Sequence, residues 1–210
     1  MPKRISGVSK RLLEVAREEF LQKGYESASL RTIAAKAATS PRAIYTRFAN
    51  KEALFHSVVA PVYEAFCHLY EEERAAYWER AKKGDLSVDP VTIYIRYIEF
   101  AYEHREDFIL LLTCSGGTRY ENFTRQIAKR EIQGVYEHLP QLSAVDPKEA
   151  MRLFIEKITY AFYENLFSPV TDGVDLAIAR EYVRMLTSFY NTGIAMGAAK
   201  DALDLYPHRG

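Results

Sequence analysis

Three polar residues near position 45 are spaced so that they share one side of a short helix. Together with Ala43, the residues Arg42, Thr46 and Arg47 are related by spacings of three and four positions, whereas Ile44 and Phe48 fall on the opposite side. An arginine can donate two hydrogen bonds to O6 and N7 of guanine, and a threonine can bond an acceptor or touch a thymine methyl group. The pattern fits a helix that enters the major groove of DNA. An ordinary solvated helix face is the alternative.

Residues that flank this segment extend the candidate surface. Tyr45 and Lys51 are placed to meet phosphates beside the groove. The complete set predicted to contact DNA is Ser29, Arg31, Thr39, Ser40, Arg42, Ala43, Tyr45, Thr46, Arg47 and Lys51.

Three short helices in the first fifty residues are predicted to position this surface. Gly24 suits the left-handed position that ends a first helix. Ser29 and Ser40 can each cap the start of a following helix, and Pro41 suits the first helical position. A tight turn at residues 38–39 separates the second and third helices, which is the spacing of a helix-turn-helix.

The charge of the chain is distributed unevenly. Residues 1–50 contain ten Lys or Arg residues and four acids, so this segment carries +6, whereas the whole chain has a net charge of zero. The remainder is therefore acidic by the same amount. A basic segment on an acidic body favours a polyanionic partner for that segment alone.

Residues 8–55 resemble the DNA-binding domain of the tetracycline-repressor (TetR) family. The matching positions are Leu13, Ala16, Phe20, Gly24, Tyr25, Leu30, Ile33, Ala34, Ala37, Ser40, Ile44, Tyr45, Phe48, Lys51, Glu52 and Leu54. The family usually has Gly-Val where this chain has Ala38-Thr39. If residue 38 needs a positive φ, alanine costs on the order of 1 kcal/mol there.

The resemblance implies an all-α fold of about nine helices. A helix-turn-helix domain is expected at residues 1–50, and a helical domain that binds an effector and dimerises is expected at residues 51–210. Apolar stripes on the last two predicted helices fit a four-helix interface between two copies, although the core of one protomer is the alternative. The interface residues expected are Phe154, Ile158, Phe162, Tyr182, Met185 and Phe189.

Aromatic residues are concentrated in the middle of the chain, where they can line an apolar pocket with a few hydroxyl groups. Core packing is the alternative for each of them. A small, largely apolar effector is expected to contact Phe66, Tyr70, Tyr94, Tyr97, Cys114, Phe123, Ile158 and Phe162.

No residues are spaced as a catalytic or metal site. A nucleophile elbow and a phosphate-binding glycine loop are absent from the sequence. Cys67 and His68 are adjacent, so on a helix they diverge by about 100° and cannot readily share a metal ion. We therefore expect no enzyme activity, no cofactor and no metal. Without an apolar run near the roughly 20 residues of a membrane span, a cytoplasmic protein with no membrane partner is expected.

Three functional hypotheses follow. The first is a repressor that binds a palindromic operator in double-stranded DNA as a homodimer and is released by an effector. The second is a DNA-binding regulator of the same fold that is controlled by a protein partner or by no ligand. The third is a helical enzyme or carrier with a vestigial head, which the basic segment and the presence of Tyr45 and Lys51 disfavour.

Overall fold

The computed structural model describes residues 7–84, 89–142 and 149–203, and the regular elements in these ranges are α-helices. They are α1 (Gly7–Ser27), α2 (Leu30–Lys36), α3 (Pro41–Arg47), α4 (Lys51–Lys82), α5 (Pro90–Glu103), α6 (Arg105–Thr113), α7 (Phe123–Leu142), α8 (Glu149–Leu166), α9 (Ser168–Asp172) and α10 (Leu176–Leu203). The prediction of an all-α fold with an N-terminal helix-turn-helix is confirmed. The short α9 lies in a segment interpreted from the sequence as a link between the last two long helices.

Contacts divide the chain into two compact units. The first unit comprises the described residues of Met1–His68 and His104–Phe123, and the second comprises those of Leu69–Glu103 and Thr124–Gly210. The 32-residue helix α4, which includes Pro61, contributes its beginning to the first unit and its end to the second. The domain boundary expected after residue 50 stays a prediction.

Aromatic packing holds the first unit together. Phe20 on α1 packs edge-on against Phe55 on α4 at 5.0 Å between ring centroids. Phe66 makes a similar contact with Phe108 on α6 at 5.4 Å. An ion pair between Arg17 and Asp107 also joins α1 to α6. The helix-turn-helix is thus anchored to α6 and the start of α4 by rings and by a partly buried charge pair.

The second unit is organised around α10, which packs against α5 and α8. Arg180 donates to Glu99 at 2.7 Å and thereby ties α10 to α5. The Tyr102 hydroxyl on α5 donates to the carbonyl oxygens of Pro169 and Val174 at 3.1 and 2.8 Å, which fixes the short connection around α9. In the three described ranges we find no helix that combines the length and the apolar character of a membrane span.

Candidate nucleic-acid interface and ligand cavity

The third helix buries one side and exposes its polar side. Ile44 is 1% exposed and belongs to the core, whereas Arg42, Thr46 and Arg47 are exposed. Tyr45 is 57% exposed, which is unusual for a large aromatic residue. The short helix therefore presents a basic, polar surface to solvent, while a single isoleucine fixes its orientation.

The start of α3 is fixed by its own sequence. The Ser40 hydroxyl accepts a hydrogen bond from the backbone N–H of Ala43 at 3.2 Å, and Pro41 occupies the first turn. The cap satisfies a donor that the helix leaves unpaired, and the proline has no N–H that needs a partner. The start of α3 is thus set by local chemistry before any partner binds.

Two of the exposed side chains bond to carbonyl oxygens of α3. Thr46 Oγ1 donates to the Arg42 carbonyl at 2.9 Å, and Arg47 Nη1 donates to the Ala43 carbonyl at 3.0 Å. A guanidinium group has five N–H donors, so this bond uses only one of those on Arg47. Both side chains can reach outward by rotation about their own bonds, without any change in the helix.

The second helix is capped in the same manner as the third. Ser29 accepts from the backbone N–H of Thr32 at 3.4 Å, and Arg31 is exposed in the first turn of α2. An exposed arginine next to the free N–H groups of a helix start is a suitable phosphate contact.

The turn between α2 and α3 requires an unusual backbone conformation. Ala38 has a φ of +51°, and the backbone N–H of Thr39 donates to the Ala34 carbonyl at 2.9 Å. The resemblance described above implies glycine at position 38. The positive φ explains that preference, and the Ala38 side chain raises the energy of the turn.

Lys51 joins the start of α4 to the end of α1. Its ammonium group donates to the carbonyl oxygens of Glu26 and Ala28 at 2.9 and 3.2 Å and lies 4.7 Å from the centre of the Tyr25 ring. Two of its three N–H groups are thus used within the protein. The ten residues predicted to contact DNA all lie between Ser29, the cap of α2, and Lys51, the first residue of α4, within the first unit.

Comparison with known proteins confirms the resemblance. The family model described as "Bacterial regulatory proteins, tetR family" matches residues 12–58, which cover the helix-turn-helix and the first turns of α4. Residues 12–58 are thus similar to the regulatory proteins of the tetR family.

Other proteins are similar to this chain over a longer stretch. The chain is 30% identical over 145 residues to an uncharacterised HTH-type transcriptional regulator, YuxN, of Bacillus subtilis (strain 168). The match spans 67% of this chain but only 46% of that relative. A transcriptional regulator of the TerR/AcrR family from Aquifex aeolicus VF5 shares the fold with a TM-score of 0.58 at 22% identity, over 85% of this chain and 96% of the other. A TetR-like regulator from Rhodococcus sp. RHA1 does so with a TM-score of 0.58 at 19% identity, over 93% and 98%.

The second unit contains a cavity of about 350 Å³. It is lined by Arg74, Tyr77, Trp78, Pro90, Ile93, Tyr94, Tyr97, Glu131, Val135, Ile155, Tyr163, Tyr190 and Asn191. The volume lies in the range of small-molecule sites, and the wall is mainly aromatic and aliphatic, as is usual for such sites.

The eight residues expected to contact an effector are divided between the two units. Tyr94 and Tyr97 line the cavity. Tyr70, Ile158 and Phe162 belong to the second unit but are not among the lining residues. The other three, Phe66, Cys114 and Phe123, are buried in the first unit.

A buried ion pair, which sequence reasoning missed, forms part of the cavity wall. Arg74 pairs with Glu131, and each side chain is only 12% exposed. The hydroxyl groups of Tyr70 and Tyr163 donate to Glu131 Oε2 at 3.2 and 3.0 Å. Residues 70, 74 and 78 share a helix face by their spacing, a signal that could have suggested part of this cluster. Their pairing with α7, however, depends on the tertiary fold.

The packing of Arg74 depends on a glycine. A Cβ atom at Gly134 would collide with the guanidinium group of Arg74, so any larger residue at position 134 would displace it. Glycine costs helix stability relative to alanine. At this position of α7, its small size makes room for the buried charge.

The tyrosines around this pair are held in their neutral form. Burial is the main cause that raises the pKa of Tyr94 and Tyr163 well above the usual value of 10, and the negative charge of Glu131 adds to the effect. Burial also raises the pKa of Tyr190 to about 12, although its hydrogen bond with Thr159 acts in the opposite direction. These phenols therefore remain hydrogen-bond donors at neutral pH.

The expected dimer residues have very different exposures. Met185 and Phe189 on α10 are 67% and 73% exposed, and Phe154 on α8 is 39% exposed. Ile158 and Tyr182 are half-buried. Phe162 lies inside the second unit, where its ring packs 4.6 Å from those of Tyr94 and Tyr190. Ile178, which belongs to the same apolar stripe of the last helix, is 59% exposed, and Leu153, which sequence reasoning missed, is 55% exposed.

Proposed function

We propose that this chain is a transcriptional repressor that binds a palindromic operator as a homodimer and is released by a small, largely apolar effector. The observation that carries the proposal is the exposed face of α3, where Arg42, Thr46 and Arg47 surround a helix whose opposite side is buried at Ile44. A short helix with such a face can enter the major groove and read base edges.

The proposed dimer is supported by the exposed apolar residues of the last long helix. Met185 and Phe189 are one helical turn apart on α10 and are more than 60% exposed. Large apolar side chains grouped on one exposed helix face favour burial against a second copy of that face. A two-fold dimer presents two copies of α3, and its operator should therefore be palindromic.

Release by an effector is supported by the cavity in the second unit and by the continuity of α4. Arg74 and Trp78, near the end of α4, line the cavity, whereas Lys51 at its beginning belongs to the candidate DNA surface. An effector that binds one shape of the protein better shifts the equilibrium towards that shape. A coupling of about 1–3 kcal/mol would lower operator affinity roughly 5–150-fold.

The test of DNA binding uses two arginine variants of the whole chain. Replacement of charged contacts should reduce both affinity and its dependence on salt, because each neutralised phosphate releases counterions. We expect Arg42→Ala to weaken binding to a labelled duplex, whereas Arg184→Ala, at an exposed site of the second unit, should not. Binding that is independent of salt, or equally affected by both substitutions, contradicts the proposal.

Filling the cavity with a larger side chain tests release before any effector has been identified. Val135→Phe places a ring in the space that an effector would occupy, whereas Val135→Ala enlarges that space. We expect operator affinity to fall in the first variant and to stay near wild type in the second. Equal affinities in both folded variants would show that cavity occupancy does not control DNA binding.

A further inference from the structure

Lys51 is the first residue of α4, yet its ammonium group is bound at the end of α1. It donates to the carbonyl oxygens of Glu26 and Ala28 at 2.9 and 3.2 Å. A cation is unfavourable beside the N-terminus of a helix and favourable beside the free carbonyl groups at a C-terminus. The contacts of this ammonium group are thus with the end of α1 rather than with its own helix.

The ring of Tyr25 completes the surroundings of the ammonium group. Its centre lies 4.7 Å from Lys51 Nζ, a distance at which a cation and an aromatic ring attract each other. The ring packs edge-on against Phe55 on α4 at 5.4 Å, and the backbone N–H of Tyr25 donates to the Cys114 carbonyl at 2.8 Å. Lys51 is therefore held by a segment that is itself anchored at other points of the first unit.

The Ala28 carbonyl group lies directly before the start of α2. The next residue, Ser29, is the N-cap of α2, and Ala28 is buried. Helix α2 in turn packs against α3, with Ile33 and Ile44 buried. The bond from Lys51 to Ala28 therefore fixes where α2 begins relative to α4, and thereby the direction in which α3 presents its exposed side chains.

We propose that Lys51 positions α3 through the start of α2 rather than by binding a phosphate, a role that rests on the proposed binding of operator DNA. The sequence pattern indicates a phosphate contact for Lys51, but two of its three N–H groups are already used inside the protein. A phosphate contact supports binding to every DNA sequence equally, whereas the placement of α3 acts most on contacts with base edges. Lys51 is thus a positioning residue for sequence preference.

Affinities for two duplexes of equal length distinguish the two roles. One duplex is an operator obtained by selection from random DNA, and the other is unrelated to it. Lys51→Met keeps the aliphatic stem and removes both the donors and the charge. We expect it to lower operator affinity about tenfold more than affinity for the unrelated duplex, which is equivalent to one lost base contact. Equal losses on both duplexes, with a salt slope smaller by about 0.9, would identify a phosphate contact and overturn the proposal.

Arg31→Ala is the matched comparison on DNA. Arg31 is exposed in the first turn of α2 and is a candidate phosphate contact. Its substitution should weaken binding to both duplexes by the same factor and leave their affinity ratio unchanged. A fall in that ratio as large as the one in Lys51→Met would show that the ratio does not report the placement of α3, and it would overturn the assignment.

The contacts of Lys51 also have a consequence in the absence of DNA. Lys51→Met should lower the urea midpoint of the free chain, because it removes two hydrogen bonds and a ring contact. Lys23→Met removes the same charge at an exposed site of α1 and should leave the midpoint unchanged. An unchanged midpoint in both variants would show that Lys51 does not hold the start of α2, and it would overturn its positioning role.

A measurement on the unmodified chain does not depend on the folding of a variant. In a complex of the nitrogen-15-labelled chain with the operator, a lysine that donates to a phosphate shows a scalar coupling between Nζ and phosphorus across the hydrogen bond. We expect no such coupling at Lys51, because its ammonium group remains on the carbonyl oxygens of Glu26 and Ala28. A coupling at Lys51 would overturn the proposal.

The same measurements separate the role of Lys51 from the proposed function. A wild-type chain that prefers no DNA sequence contradicts operator binding, and the positioning role falls with it even if Lys51→Met is less stable. A preference in the wild type that Lys51→Met retains in full supports operator binding and overturns the positioning role of Lys51.

Discussion

Ala38 holds the turn between α2 and α3 at a φ of +51°, where an alanine is strained and a glycine is not. Ala38→Gly removes that strain, which is about 1–2 kcal/mol, but adds about 0.4–1 kcal/mol of unfolded-state entropy. We therefore expect a net gain of up to about 1.6 kcal/mol in the free energy of unfolding, measured by urea denaturation.

A second glycine variant serves as the control for this effect. Ala35 is exposed within α2 and lies in the helical region, so Ala35→Gly should cost about 1 kcal/mol. Opposite signs for the two variants would support strain at Ala38. Equal destabilisation would show that the turn is not strained.

Single residues were predictable where their partners are near in sequence. The Ser29 and Ser40 caps bond to backbone groups three residues away, and the glycine usual at position 38 in the family indicates a positive φ there. The Arg74–Glu131 pair joins residues that are remote in sequence, and no local rule indicates that they meet. Local capping and turn preferences therefore predict the candidate DNA surface better than the cavity.

The start of α3 connects the stability of the helix with its proposed role on DNA. Ser40→Ala removes the cap at Ala43 and should lower the free energy of unfolding by about 1 kcal/mol. Ser40→Asp keeps a capping oxygen, so stability should stay near wild type. Its negative charge should nevertheless weaken DNA binding at low salt, if this end of the helix faces phosphates. Chemical unfolding and fluorescence anisotropy separate the two effects, and unchanged DNA affinity in the aspartate variant would place Ser40 outside the interface.

Helix periodicity identified α8 and α10 but not which apolar residues face inward. Phe162 and Tyr190 are buried within the second unit, whereas Phe154, Met185 and Phe189 are exposed. Both helices have apolar residues over more than one face, so a stripe does not distinguish a protomer's core from a docking surface. The distinction depends on the packing of α10 against α5, which the sequence does not reveal.

The phenols of the second unit should make the protein sensitive to alkali. The pKa of Tyr190 is raised by burial to about 12, above its usual value of 10. The stabilisation from its proton is therefore complete below pH 10 and is lost as the pH rises from 10 to 12. This one proton should make the free energy of unfolding fall by about 1.4 kcal/mol per pH unit between pH 10 and 12. Tyr190→Phe should remove that contribution to the fall.

Thr159→Val is the matched control for the alkaline measurement. It removes the hydrogen bond of 2.8 Å between Thr159 and Tyr190 but leaves the phenol in place. The free energy of unfolding of both variants should be about 1 kcal/mol lower than that of the wild type at neutral pH. Only in the phenylalanine variant should it fall less steeply as the pH rises from 10 to 12. Identical slopes in urea unfolding would show that Tyr190 does not titrate in this interval.

The proposed dimer predicts that a charge at one exposed residue of α10 separates the two protomers. Phe189 is 73% exposed, so Phe189→Glu should leave the protomer folded. In a dimer interface the same carboxylate would be buried without a partner, at a cost of several kcal/mol. Sedimentation should show monomers for Phe189→Glu and dimers for Phe189→Leu. An intact dimer in the glutamate variant would show that the interface does not include Phe189.

Selection of binding sites from random DNA by the whole chain is the most direct test of sequence-specific recognition by two copies of α3. The account predicts a palindromic site whose two halves lie about one helical turn apart or a multiple of it. Arg42→Ala or Arg47→Ala should relax base preference at the same position in both halves, at about 1–3 kcal/mol for the arginine that reads a guanine. Enrichment of no sequence, or of single half-sites that neither substitution affects, would contradict it.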